Sequence, residues 1–100
     1  MTFRSRKLLD VAHEAPCFLR LRRCVSGVNP SVPAHSNMQR HGRGVGHKSA
    51  DCFAVPACPA CHYELDYGKN MSREEKEQAW ELAFERYQLW LWENEKIRVA

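Results

Sequence analysis

Cys58-Pro59-Ala60-Cys61-His62 is the stretch on which the reading of this 100-residue chain turns. Two cysteines separated by two residues can aim both thiolates at a single ion. Pro59 suits a first helical position, where its missing N–H costs nothing, so the motif opens a short helix that Gly68 ends. A second pair, Cys17 and Cys24, stands well upstream with six residues between. Two separated pairs make the four-sulfur tetrahedral set that structural zinc prefers. Six is wider than the usual knuckle spacing, so the segment between Cys17 and Cys24 must loop back or form a hairpin. Five cysteines are an odd number, which fits four ligands plus a spare, Cys52, better than complete pairing. Three other readings stay open. Disulfides suit an oxidising compartment. The CxxCH pattern also matches c-type haem attachment, which belongs to exported proteins. A redox pair would need a βαβ surround that is not visible.

Outward from this motif, the composition is that of an ordinary soluble domain, 44% apolar and 27% charged. One hundred residues make one small domain, which a structural metal would help to hold together. No apolar run approaches the roughly 18 residues of a membrane span. The N-terminus has no apolar core of a secretory signal, so a cytoplasmic protein with no membrane partner is expected. The charge is uneven. Residues 1–50 carry nine Lys/Arg against two Asp/Glu, a net +7, and residues 51–100 carry six against ten, a net −4. A basic half suggests a polyanion-facing surface, most simply nucleic acid, although a solvated basic face would look the same.

Residues 4–13 suggest a short helix with Leu8, Leu9 and Val11 inward, ended by Pro16. Residues 17–24 suggest a strand, with imperfect alternation. Ser26-Gly27-Val28-Asn29-Pro30 is a turn by composition, and Ser31 to Ser36 is extended. Residues 37–50 form a loop with three glycines and the basic side chains Arg40, Arg43 and Lys48, together with His41 and His47. It nearly matches a phosphate-binding P-loop, but that pattern needs glycine directly before Lys48, where His47 stands. Residues 52–58 read as a short buried strand, non-central because of Pro56. Ser72 to Glu75 is a capping box that starts a helix ending near Asn94. Trp80, Ala83, Phe84, Tyr87 and Leu91 fall on one face, widened by Trp90 and Trp92. That face packs on the core, and its surplus tryptophans leave room for a partner or a homodimer. Ile97 to Val99 suggest a short edge strand.

His35 ends the extended piece before the basic loop, and His62 follows the second knuckle cysteine. A zinc tie between the two cysteine pairs would bring both to one cleft. Neutral imidazole can take a proton from water or bind a metal. Asp51 and Asp66 are carboxylates of the same region that suit a hard cation such as Mg2+. Read alone, His35 is equally well a structural histidine.

The residues from about Ala15 to about Asp66 resemble the HNH-type, ββα-metal nucleases, and specifically the YbcO-like prophage nuclease family. The matching pieces are Pro16-Cys17, Cys24, Ala34-His35, Gly42, Gly44 and Gly46, Asp51, and Cys58 to His62 with Leu65-Asp66. Leu89-Trp90 and Ile97-Arg98-Val99 are similar to that family's closing segment. The resemblance implies an α+β fold: a zinc-stapled ββα-metal core, HNH or treble-clef-like, over residues 14–70, and a long helix with its tail over 71–100. It implies structural zinc on Cys17, Cys24, Cys58 and Cys61. His35 would be the general base, Asp51 the middle catalytic position, and His62, with Asp66 as a further candidate, a holder of catalytic Mg2+ or Mn2+. Arg40, Arg43, Lys48 and His41 would hold DNA phosphates. The DNA could be single-stranded or a recombination intermediate, presented by a recombination protein. Many HNH enzymes carry an Asp directly before the first histidine; here that residue is Ala34. Its absence leaves the catalytic ligand set open and favours the alternative, a zinc-stabilised module that binds nucleic acid or protein without chemistry.

Overall fold

The computed structural model describes residues 3–22, 24–25, 31–44 and 46–97. Its elements in chain order are α1 (Arg6–Glu14), β1 (Val32–His35), a single 3-10 turn (Gln39–His41), β2 (Ala54–Ala57), α2 (Pro59–Tyr67) and α3 (Arg73–Glu93). Among the described residues this is a small α+β arrangement of three helices about a two-stranded antiparallel sheet.

The sheet is built from two strands that each contain a proline. Its register sets Pro33 opposite Pro56 and Ala34 opposite Val55. The ladder continues to Ser36, whose N–H donates to the Phe53 carbonyl at 2.9 Å. Antiparallel pairs alternate between bonded and non-bonded, so counting back from Ser36 puts the two prolines at a non-bonded pair. Neither missing N–H therefore costs a ladder bond. The Pro56 carbonyl points away from β1 and accepts the Phe18 N–H at 2.9 Å, which lays the cysteine-bearing segment along the outer edge of β2.

Each helix has a local reason to start. Ser5 caps α1, its hydroxyl accepting the Leu8 N–H, and α1 packs on both strands. His13, exposed on α1, places its Nδ1 2.9 Å from the Ser31 carbonyl. Cys58 is the N-cap of α2 and Pro59 its first residue. At the far end a side chain on Gly68 would collide with the Glu64 carbonyl, 2.5 Å from where its Cβ would stand. Close approach, rather than a left-handed backbone, is what requires glycine there. α3 begins with both bonds of the Ser72–Glu75 capping box in place.

The core lies between α3, the sheet and α2. Trp80, Ala83, Tyr87 and Leu91 are the buried residues of α3, at the three- and four-residue intervals of one helical face. Trp80 reaches β1, its indole N–H donating to the Ala34 carbonyl at 3.0 Å. Phe18 meets Tyr87 and Trp90 at centroid distances of 5.5 and 6.2 Å. Trp92, expected in this stripe, is instead exposed, as are Leu82 and Leu89.

One element differs from the sequence reading. The described residues of 17–24 are irregular rather than a strand. An extended run would separate Cys17 from Cys24 by roughly 23 Å, whereas their sulfurs lie 3.7 Å apart. The reversal includes Arg20, whose φ of 47° is left-handed, and a turn in which the Cys24 N–H donates to the Leu21 carbonyl at 2.9 Å. The turn read at Ser26 to Pro30 lies outside the described residues, as do Arg98 and Val99 of the suggested edge strand.

The Tyr87 hydroxyl is buried without a hydrogen-bond partner among the described residues, and burial pushes its pKa up to about 12. A buried, unsatisfied hydroxyl costs about 1–3 kcal/mol. Tyr87→Phe should therefore leave the melting temperature unchanged or raise it, as measured by thermal unfolding of the two proteins. A loss of more than about 1 kcal/mol would show that the hydroxyl is satisfied.

Candidate functional site

Two segments converge on the sulfur cluster. The reversal that includes Arg20 brings Cys17 and Cys24 together, and the first turn of α2 supplies Cys58 and Cys61. All four sulfurs lie within 4.8 Å of one another, with Cys24 at 3.7 Å from Cys17 and 4.0 Å from Cys58. Tetrahedral zinc with Zn–S bonds of about 2.3 Å sets its sulfurs about 3.8 Å apart. The cluster can hold a metal ion, and its geometry is consistent with structural zinc. The separations of 3.7 and 4.0 Å are too long for disulfides, whose sulfurs lie about 2.05 Å apart. Backbone N–H groups of Leu21 and Val25 point at Cys61 and Cys58 sulfurs, at 3.2 and 3.4 Å. Such donors favour thiolate. Burial opposes the charge at Cys58, yet the bonds prevail and bring its pKa to about 7, while burial pushes the Cys61 thiol well up. Cys52, the spare, is exposed rather than buried.

The last residue of β1 is His35, and its Nε2 lies 2.9 Å from Asp51 Oδ1. Asp51 is buried and satisfied by several donors. Besides His35 it accepts the Ser5 N–H at 2.7 Å and Arg4 at 3.2 Å, while its own N–H donates to the Phe3 carbonyl. Burial alone would raise its pKa, but the bonds from His35, Ser5 and Arg4 hold it below the ordinary carboxylate value. Asp51 is thus a positioning residue for His35 and an anchor for the start of α1. Arg4 and Ser5 carry no motif, and their partner is 46 or 47 residues away, so sequence reasoning missed them.

On α2, His62 Nε2 lies 3.1 Å from Asp66 Oδ2, one helical turn on. The bond to Asp66 raises the His62 pKa against the effect of burial. Asn37, also missed, donates to Asp66 Oδ1 at 3.3 Å. Asn37 follows His35 by two residues, so about 7 Å of chain at most separates them. The two His–Asp pairs are therefore neighbours across the gap between the end of β1 and α2. They do not merge: among the described residues, the cysteines are the group of three or more potential ligands whose atoms converge.

The basic side chains divide. Arg40 is drawn to α3 by an ion pair with Glu81. Arg43 lies close enough to help hold the Asp66 carboxyl low. Arg4, His47 and Lys48 line one cleft with Asp51. His41 is engaged by the fold. Its ring stacks on Phe53 at 4.2 Å, its Nδ1 meets the Ser36 hydroxyl at 2.6 Å, and burial, with Arg40 beside it, lowers its pKa.

Removing the Asp51 charge should cost stability in a pH-dependent way. A carboxyl with a depressed folded pKa stabilises fully above its unfolded value, about 3.9, and loses that contribution as pH falls through the folded value. Asp51→Asn is expected to lose about 1–3 kcal/mol near neutrality. Its unfolding curve should approach that of the wild type as pH falls below about 4. A gap independent of pH would place the loss in packing instead.

Comparison with protein-family models, with curated proteins and with solved structures returned no match.

Proposed function

We propose that this chain is a metal-dependent endonuclease of the HNH, ββα-metal type, hydrolysing phosphodiester bonds in DNA. The observation that carries the reading is the histidine at the end of β1, held by a buried carboxylate at 2.9 Å, beside a helix bearing a second His–Asp pair. The order of parts supports it: a cysteine-bearing reversal, an antiparallel pair of strands, then a helix whose first turn carries the remaining cysteines. That order is what a treble-clef core requires. The resemblance of the same residues to the YbcO-like prophage nucleases supports it independently of the geometry.

In this reading His35 donates Nε2–H to Asp51, which sets the tautomer and leaves Nδ1 to take a proton from the attacking water. Only 12% of the His35 side chain is exposed, so water approaches it from one edge. His62 Nε2 and Asp66 Oδ2 are a nitrogen–oxygen donor pair one turn apart. They fit a divalent cation that keeps several waters, as Mg2+ does. Such an ion supplies charge neutralisation at the phosphate and the leaving 3′ oxygen. Arg4 and Lys48, on the cleft beside Asp51, and Arg43, near Asp66, are the cations that would hold backbone phosphates, giving binding that weakens with salt.

A second reading is favoured by one residue. Ala34, where many HNH enzymes carry an acidic metal ligand, suits a zinc-stabilised module that binds nucleic acid without cutting it.

A nicking assay separates the two. Zinc-loaded wild type and His35→Ala are incubated with supercoiled plasmid and single-stranded circles in Mg2+ or Mn2+. Cleavage by the wild type, reduced at least about 100-fold in the variant, is the expected result for loss of a general base. Equal cleavage by both overturns the role of His35. A gel shift without cleavage favours the binding module.

A further inference from the structure

α2 buries Cys61, Glu64 and Leu65 and leaves Tyr63 and Tyr67 outward, 65% and 69% exposed. The two rings are one helical turn apart, with centroids 5.3 Å from each other and planes inclined by 48°. A pair at this spacing contributes about 0.2–0.5 kcal/mol to a helix, and neither ring belongs to the core. What surrounds Tyr67 is polar. Tyr67 lines a pocket with Asn37, Arg43 and Asp66, next to the His62–Asp66 pair. The carboxylate in this group is matched by His62, by the Asn37 amide and by the Arg43 charge.

We propose that Tyr63 and Tyr67 are a stacking platform for unpaired nucleobases, with Arg43 on the adjoining phosphate. The inference deepens the nuclease reading and rests on it for the ligand being a nucleic acid; what it adds is the strand state. Exposed aromatic rings beside a cation are how sequence-tolerant single-strand binding is built, because every base offers a π-face. In a duplex those faces are hidden by stacking on neighbouring pairs. An apolar peptide or a lipid would instead need aliphatic neighbours, and the pocket at Tyr67 has an amide, a guanidinium and a carboxylate. The placement also orients the strand: bases lie on the outer face of α2, and the backbone passes the His62–Asp66 pair.

The test measures binding in a cleavage-deficient His35→Ala background, using the full zinc-loaded chain. Fluorescence anisotropy is read with a labelled single-stranded DNA oligomer, the same oligomer annealed to its complement, and an RNA strand of the same sequence. Base–aromatic stacking is worth about 1–3 kcal/mol per base. Tyr63→Ala/Tyr67→Ala should thus weaken single-strand binding by about tenfold or more and change duplex binding by less than about twofold. Tyr63→Phe/Tyr67→Phe should retain it. Both positions are exposed, so zinc content should be unchanged and the melting temperature should fall only by what the loss of about 0.2–0.5 kcal/mol accounts for. Single-strand binding untouched by the alanine pair, or no tighter than duplex binding, overturns the proposal. The DNA and RNA arms show which strand is the ligand. Plasmid and circle cleavage by the wild type is scored separately. Tyrosine-dependent binding without cleavage upholds the platform and sinks the nuclease, whereas cleavage with tyrosine-independent binding does the reverse.

Discussion

Everything in this fold depends on bringing four sulfurs within 4.8 Å of one another. They join the segment before β1 to the start of α2, where Ala15, Leu19 and Leu65 add apolar packing. The described residues of that segment make no strand, and their backbone is spent on a left-handed residue at Arg20 and on N–H groups aimed at sulfur. Crowded thiols without an ion are frustrated: bonding draws Cys58 toward thiolate while burial keeps Cys61 a thiol. A divalent metal held by all four would remove the conflict by taking them as thiolates, and its binding energy would then be part of the folding energy.

The sheet and the two His–Asp pairs follow from that clamp. Two four-residue strands are marginal alone. These are framed by the cysteine segment on one edge, through Phe18 and Pro56, and by Trp80 of α3, bonded to Ala34. Opposed prolines at a non-bonded pair let a short sheet tolerate both rings. With the strands fixed, His35 projects from the end of β1 onto Asp51, and Asn37 reaches across to Asp66 on α2. The N-terminal segment then closes over the back of Asp51 through Arg4 and Ser5. His35 is oriented by Asp51, which Arg4 and Ser5 hold in turn.

What could be read from the sequence was whatever has a local cause. The CxxC turn, the proline that opens α2 and the capping box of α3 each act within a few residues, and each stands where its spacing put it. Pro56 spoke against a central strand, and the sheet has two strands, both edges. The misreadings came from partners distant in sequence. Alternating leucine and arginine at 18–22 looks like a strand because nothing local reveals that two cysteines must meet. The basic loop reads as a uniform phosphate-binding surface. In the fold, Glu81 of α3 takes Arg40, and Phe53 and Ser36 take His41. Arg4 and Asn37 bear no motif at all, and their importance appears only when Asp51 and Asp66 arrive beside them.

X-ray absorption at the zinc edge of the purified chain tests the clamp most directly. Four sulfur scatterers at about 2.3 Å and none of nitrogen or oxygen are predicted. A shell containing nitrogen or oxygen, or less than one tightly held zinc per chain, would contradict the account.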